Sequence, residues 1–163
     1  MQNGMTMAVA GGSTMREVAR GMQGNLQMNV MVIPARGGMG SSVETQANTV
    51  AAEIARKVGG RHFSIHLPDN LDAPALQEMT KVPEVQEALS LMQSAGLIVH
   101  GVGRADTMAQ NRRLSPEYLE MLRRKKAVGE AFGDFFDFDG CTVWQASTVS
   151  AALIHPQNGC KMV

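Results

Sequence analysis

Four consecutive residues, Gly11-Gly12-Ser13-Thr14, carry the strongest chemical suggestion in the chain. They stand between the apolar run Met7-Ala8-Val9-Ala10 and a segment in which Met15, Val18, Ala19 and Met22 recur at helical spacing. A strand therefore passes into a helix across two glycines and two hydroxyls. Such a turn directs backbone N–H groups outward at the positive end of a helix, where an anion is stabilised. The same residues admit a plainer reading. Thr14-x-x-Glu17 has the form of a capping box, in which each side chain satisfies the other's backbone donor.

Other residues could share that chemistry. Arg36 follows an apolar run in Pro34-Ala35-Arg36-Gly37-Gly38. A guanidinium there forms bidentate charge-assisted bonds to a phosphate, or pairs with a nearby acid. Gln46 and Asn48 fall at the start of the next helix, where their amides hold sugar hydroxyls or face solvent. Arg112 and Arg113 follow a glycine-bearing loop and could reach a second phosphate. Glu130 stands among small and apolar residues. It is read as an acceptor for sugar hydroxyls, as a general base, or as a partner of the run Arg123-Arg124-Lys125-Lys126. That run reads as a helix C-terminus, where cations complement the dipole, with Glu117, Glu120 and Glu130 offsetting it. His100 reads as a hydrogen-bonded core residue, and His62 and His66 as strand positions. The histidines have no metal-ligand spacing, Cys141 and Cys160 form neither a metal motif nor a disulfide framework, and no Ser–His–Asp arrangement can be argued. Thr6, Ser13 and Thr14 suit hydroxyl donors better than nucleophiles. No catalytic residue, metal or cofactor is expected.

Composition bounds the partners. The 163 residues carry 15 Lys+Arg and 15 Asp+Glu, so the formal charge is zero. That argues against an electrostatic grip on nucleic acid by the whole domain. A chain of this length buries roughly 70% of its unfolded surface and needs no staples. The N-terminus lacks a basic region followed by an apolar core, no apolar run reaches the roughly 20 residues of a membrane span, and a reducing cytoplasm is the simplest setting. With 13 Met and few aromatics, the core should be aliphatic and thioether packing.

The elements that must position these residues alternate. Met28–Ile33 is a near-continuous apolar strand. A helix with Val43, Ala47, Val50, Ile54 and Val58 on one face follows, capped by Ser41-x-x-Glu44 and ended by Gly59-Gly60. His62–Leu67 reads as a third strand. Two helical segments meet at Pro83, and Leu97–Gly103 is a fourth strand. Apolar strands alternating with helices predict a three-layer α/β sandwich with a mainly parallel sheet. In such sheets ligands sit at the carboxyl ends of the strands. Three of the four strand ends here carry glycine pairs: Gly11-Gly12, Gly37-Gly38 and Gly101-x-Gly103. Further on, Ser115-Pro116-Glu117 starts a helix through about Lys126. Phe135–Trp144 reads as a hairpin with a type I′ turn at Asp139-Gly140. No linker divides the chain.

Taken together, GGSTMREVA, VIPARGGMG, QANTVAAEIA, LIVHGVGRADTMAQNRR and AVGEAFGDFFDFDG resemble, in order and spacing, the effector-binding domain of SorC-type sugar-responsive transcriptional regulators. The resemblance runs from about Met5 to about Val149. It implies a fold related to the sugar-phosphate isomerase, deaminase and CoA transferase-like folds. It also implies a sensor of a transcriptional repressor of glycolysis rather than an enzyme. The expected ligand is a phosphorylated sugar, most specifically fructose-1,6-bisphosphate. By that resemblance Gly11, Gly12, Ser13 and Thr14 form a phosphate cradle, Arg36 contacts phosphate, Gln46 assists, and Glu130 holds sugar hydroxyls. The family's arginine falls at Asn111, and Arg112, one position on, would take its place. The family also has an N-terminal helix-turn-helix DNA-binding domain, and a later strand with a glycine pair and a phosphate-reaching lysine. The chain is therefore expected to be a partial effector domain of a homo-oligomer, reaching operator DNA only through the absent N-terminal domain. The competing expectation is a sugar-phosphate isomerase or deaminase using Glu130 as its base; a fragment that binds nothing is a third.

Overall fold

A computed structural model describes residues 4–24, 28–37, 43–68, 71–145 and 161–162. Its larger sheet contains β1 (Thr6–Val9), β2 (Met31–Pro34), β3 (Arg61–His62), β4 (Ala95–Val99) and β9 (Lys161–Met162), in the order β3-β2-β1-β4-β9 with every pairing parallel. Met7, Ala8 and Val9 are all buried, as are Val32, Ile33 and Pro34. Successive strand residues face opposite sides, so this burial requires cover on both faces. The helices α1 (Ser13–Gly21) and α2 (Ala47–Val58) pack on each other, and α4 (Pro83–Gln93) packs on β1 and β2. Right-handed crossovers put α1 and α2 on one face and α4 on the other. The predicted three-layer α/β arrangement with a mainly parallel sheet is the observed one.

The buried stripe of α2 is Val50, Ala51, Ile54, Ala55 and Val58, and Gly59 ends the helix in the left-handed region at φ 70. Its start differs from expectation. Val43 lies on a separate 3₁₀ turn, Val43–Thr45, and is 70% exposed. Gln46 occupies the cap position of α2 without closing the helix by a side-chain capping bond, and Ser41 lies outside the described residues. The strand expected over His62–Leu67 shrinks to Arg61–His62. Beyond Phe63, whose N–H still donates to Val32 O, the chain finds its partner in a side chain. The amide of Asn48 donates to Ile65 O at 2.8 Å and accepts from Ile65 N–H at 2.9 Å. The Asn48 amide is therefore turned to the backbone of Ile65, where it replaces a ladder neighbour. Asn48→Leu leaves both backbone groups of Ile65 without that partner. It is expected to cost about 1–3 kcal/mol, read as a lower urea midpoint at unchanged m-value.

The strand expected over Leu97–Gly103 splits. β4 ends at Val99, and β5 (Gly103–Arg104) opens a second sheet with β6 (Gly129–Ala131), β7 (Asp134–Phe136) and β8 (Thr142–Gln145). That sheet is antiparallel in the order β5-β6-β7-β8. Helices α5 (Ala105–Asn111) and α6 (Pro116–Arg124) cover it, with Ala105, Ala109 and Leu122 sharing a core with Phe135 of β7. In the connection from β3 to β4, α3 (Ala73–Met79) precedes α4. The β7–β8 hairpin was expected, its turn was not. Only Gly140 has positive φ there, and Asp137 Oδ1 accepts from the N–H groups of Asp139 and Cys141. The two-residue turn with positive φ at both positions joins β6 to β7 instead, at Phe132 (φ 57) and Gly133 (φ 96). A phenylalanine in that conformation is uncommon. Burial offsets its strain, since Phe132 is 7% exposed and joins the main core.

Candidate functional site

The exits of three strands meet at one rim. Ala35 N–H donates to Val9 O at 2.8 Å, and Ala10 N–H donates to Val99 O at 2.9 Å. The residues after β1, β2 and β4 are thus neighbours. β1 lies between β2 and β4, where the connections reverse direction, which is the point at which open α/β sheets hold ligands.

At the β1 exit the two glycines have different duties. A Cβ on Gly11 would fall 2.6 Å from Thr45 O and 2.9 Å from Ala47 N, so only glycine lets the turn pack on the start of α2. Gly12 sits at φ 108 and gives its N–H to Thr45 O at 2.8 Å. That amide, expected in an anion cradle, is occupied. The capping box is also not formed. Gly12 is the cap of α1, no side chain closes the helix, and Glu17 pairs with Arg16 at 2.9 Å and Arg20 at 3.6 Å. The first-turn amides of Ser13, Thr14 and Met15 have no intrahelical partner by position. Among the described residues the Ser13 and Thr14 hydroxyls make no hydrogen bond. Thr14 faces the β4 exit, where a Cβ on Gly101 would stand 3.7 Å from its own. Arg16 also reaches Glu44 at 2.9 Å, tying α1 to the 3₁₀ turn, so that Gln46 stands directly after the segment touching Gly11 and Gly12.

A second group forms around Glu130, the one buried charged residue among those described, at 4% exposure. It lies opposite Gly103 in the β5–β6 pair. Its Oε1 accepts from Gly133 N–H at 2.6 Å and from Arg112 at 2.9 Å, with Arg36 at 3.9 Å. Arg112 caps α5 and Arg36 follows β2, so three sequence candidates from three elements converge on one oxygen. Oε2 makes no hydrogen bond among the described residues. Glu130 does not pair with the basic run after α6. There, Arg123 meets Glu120 at 3.8 Å and Lys125 donates to Val143 O. Arg113 is exposed at φ 52, and Thr6 lies at the opposite end of β1.

His100 joins the two groups. It follows β4, and its ring lies 4.3 Å from that of Phe132, in the turn that presents Gly133 to Glu130. Sequence reading did not identify the Thr45 carbonyl or the Gly133 amide, because backbone groups leave no residue-type signal. It also passed over Asp134. Burial pushes that carboxyl above the ordinary carboxylate range, the Glu130 charge adds to the effect, and a bond from Gln145 opposes it. The sign follows by linkage. Stability tied to Asp134 is greatest below the ordinary value of 3.8 and falls as pH rises through the raised folded value. Asp134→Asn is therefore expected to raise Tm at pH 7 and to leave it unchanged near pH 3, measured by calorimetry across pH.

Among the described residues no three metal-ligating side chains cluster, and no helix is long and apolar enough to cross a membrane. The family model described as "Putative sugar-binding domain" matches residues 1–154. The chain belongs to that family. It is 40% identical over 149 residues to the central glycolytic genes regulator of Priestia megaterium, covering 91% of this chain and 44% of that protein. Against the central glycolytic genes regulator of Bacillus subtilis the identity is 38% over 148 residues, covering 90% and 44%. A crystal structure of a "putative SorC family transcriptional regulator" from Enterococcus faecalis shares its fold at a TM-score of 0.80 and 38% identity, over 89% of this chain and 60% of that one. The sugar-binding domain spans less than half the length of the curated relatives it matches. Those relatives are regulators of transcription, not enzymes.

Proposed function

We propose that the rim binds a phosphorylated sugar, most specifically fructose-1,6-bisphosphate, as the effector of a transcriptional repressor of glycolytic genes. The carrying observation is the meeting of an uncapped helix start with a two-arginine, one-carboxylate cluster at the switch point of the sheet. The amides of Ser13 and Thr14 and their hydroxyls hold one phosphoryl group at the positive end of α1. Gly11 and Gly12 shape that turn, and Gln46 flanks it. Arg36, 25% exposed at its side chain, binds phosphate from the β2 exit, with Arg112 behind it. The unused oxygen of Glu130 accepts from sugar hydroxyls. Occupancy favours one state of a cytoplasmic homo-oligomer, and operator DNA is reached through a helix-turn-helix domain of the full regulator. The ligand shifts that balance only by its differential affinity for the two states.

Thermal unfolding with fructose-1,6-bisphosphate, fructose and inorganic phosphate tests the reading. At 100 times Kd the bisphosphate adds about 2.7 kcal/mol, and unphosphorylated fructose adds nothing. An unchanged Tm across millimolar bisphosphate would refute it. Turnover of ribose-5-phosphate or glucosamine-6-phosphate would instead favour the isomerase or deaminase.

A further inference from the structure

The imidazole of His100 sits where the two halves of the rim meet, and its hydrogen bonding determines what it can offer there. Nδ1 lies 3.3 Å from Gly101 O. A carbonyl oxygen only accepts, so Nδ1 carries the hydrogen in that contact. The neutral ring then presents a lone pair at Nε2. Among the described residues Nε2 makes no hydrogen bond, and the ring is half-buried rather than enclosed. One ring face is held by Phe132, at 4.3 Å between centroids and 43° between planes. Phe132 is itself fixed by burial and by the tight turn that aims Gly133 N–H at Glu130. On the other side, Gly101 brings the β4 exit against Thr14. The ring is thus oriented by a tilted ring contact and a backbone carbonyl, between a helix start suited to a phosphoryl group and a carboxylate suited to hydroxyls.

We propose that His100 is a specificity-determining residue of this site, accepting a hydrogen bond at Nε2 from a hydroxyl of the bound sugar. The proposal rests on the phosphosugar reading above and deepens it. Anion recognition is left to α1 and the arginines. The sugar body is read by two acceptors, Glu130 Oε2 and His100 Nε2. A ligand without a sugar body, such as inorganic phosphate, places no sugar hydroxyl at the imidazole and gains nothing from it.

Two substitutions separate the ring nitrogens. His100→Asn retains a polar atom near the position of Nδ1 and removes Nε2. His100→Gln extends an amide toward the position of Nε2. Calorimetric titration of wild type and both variants with fructose-1,6-bisphosphate, and separately with inorganic phosphate, reads the effect. H100N should weaken the bisphosphate roughly three- to tenfold, the range for one neutral hydrogen bond. H100Q should stay within about twofold of wild type, and phosphate affinity should be equal in all three. Wild-type bisphosphate affinity in H100N overturns the proposal. So does a loss shared by both variants and by phosphate, which marks the ring as packing alone. Failure of the wild type to bind bisphosphate overturns the underlying phosphosugar reading, a different outcome from either.

Discussion

Replacing Glu130 with alanine should cost about 3–5 kcal/mol of folding stability, the range for removing one partner of a buried ion pair. The cause is local. Arg112, with its side chain 15% exposed, would keep its charge and lose the carboxylate 2.9 Å away, and Gly133 N–H would lose an acceptor at 2.6 Å. The strained Phe132-Gly133 turn depends on that acceptor, and the two sheets meet through it. For a chain of this size the loss corresponds to a Tm lower by roughly 6–20 °C. Glu130→Gln keeps an acceptor for Gly133 and removes only the charge, so its cost should be smaller. Chemical denaturation of the two variants orders them. Equal stability of Glu130→Ala and wild type would mean that the cluster does not hold the sheets together.

Arg36→Ala has the opposite profile, with a large effect on binding and a small one on stability. Its distance to Glu130 is 3.9 Å, beyond a strong hydrogen bond, and Arg112 retains the short contact to the same oxygen. Removing it should change stability by well under the Glu130 figure. A guanidinium that binds phosphate contributes about 1.5–3 kcal/mol, so the bisphosphate Kd should rise roughly 10- to 150-fold. Unaltered affinity would remove Arg36 from the site. A variant that loses binding and stability together would mean that Arg36 acts through Glu130.

The parallel sheet was legible because its strands are apolar on both faces and its helices carry clean stripes, as at Val50, Ile54 and Val58. The convergence of Arg36, Arg112 and Glu130 was not. Each was singled out by residue type, but their meeting depends on the short antiparallel sheet that returns Glu130 opposite Gly103. Strands of two and three residues give no usable periodicity. The sequence also misplaced its tight turn. Asp139-Gly140 has the favoured residues, whereas Phe132-Gly133 has the backbone, because core burial outweighed local preference at Phe132. The Gly11-Gly12 pair reads as a tight turn with outward N–H groups, and of the two amides that of Gly12 is already engaged within the chain. A sequence shows that a glycine permits an approach but not which carbonyl makes it, and here Thr45 takes the Gly12 amide.

The most direct check is a titration of the ¹⁵N-labelled domain with fructose-1,6-bisphosphate, following backbone amides and the Arg36 side-chain N–H by NMR. The rim account predicts saturable shifts at Ser13, Thr14, Gly101, Gly133 and Arg36, with residues of α4 unmoved. Saturable binding that leaves Ser13, Thr14 and Arg36 unshifted would contradict it.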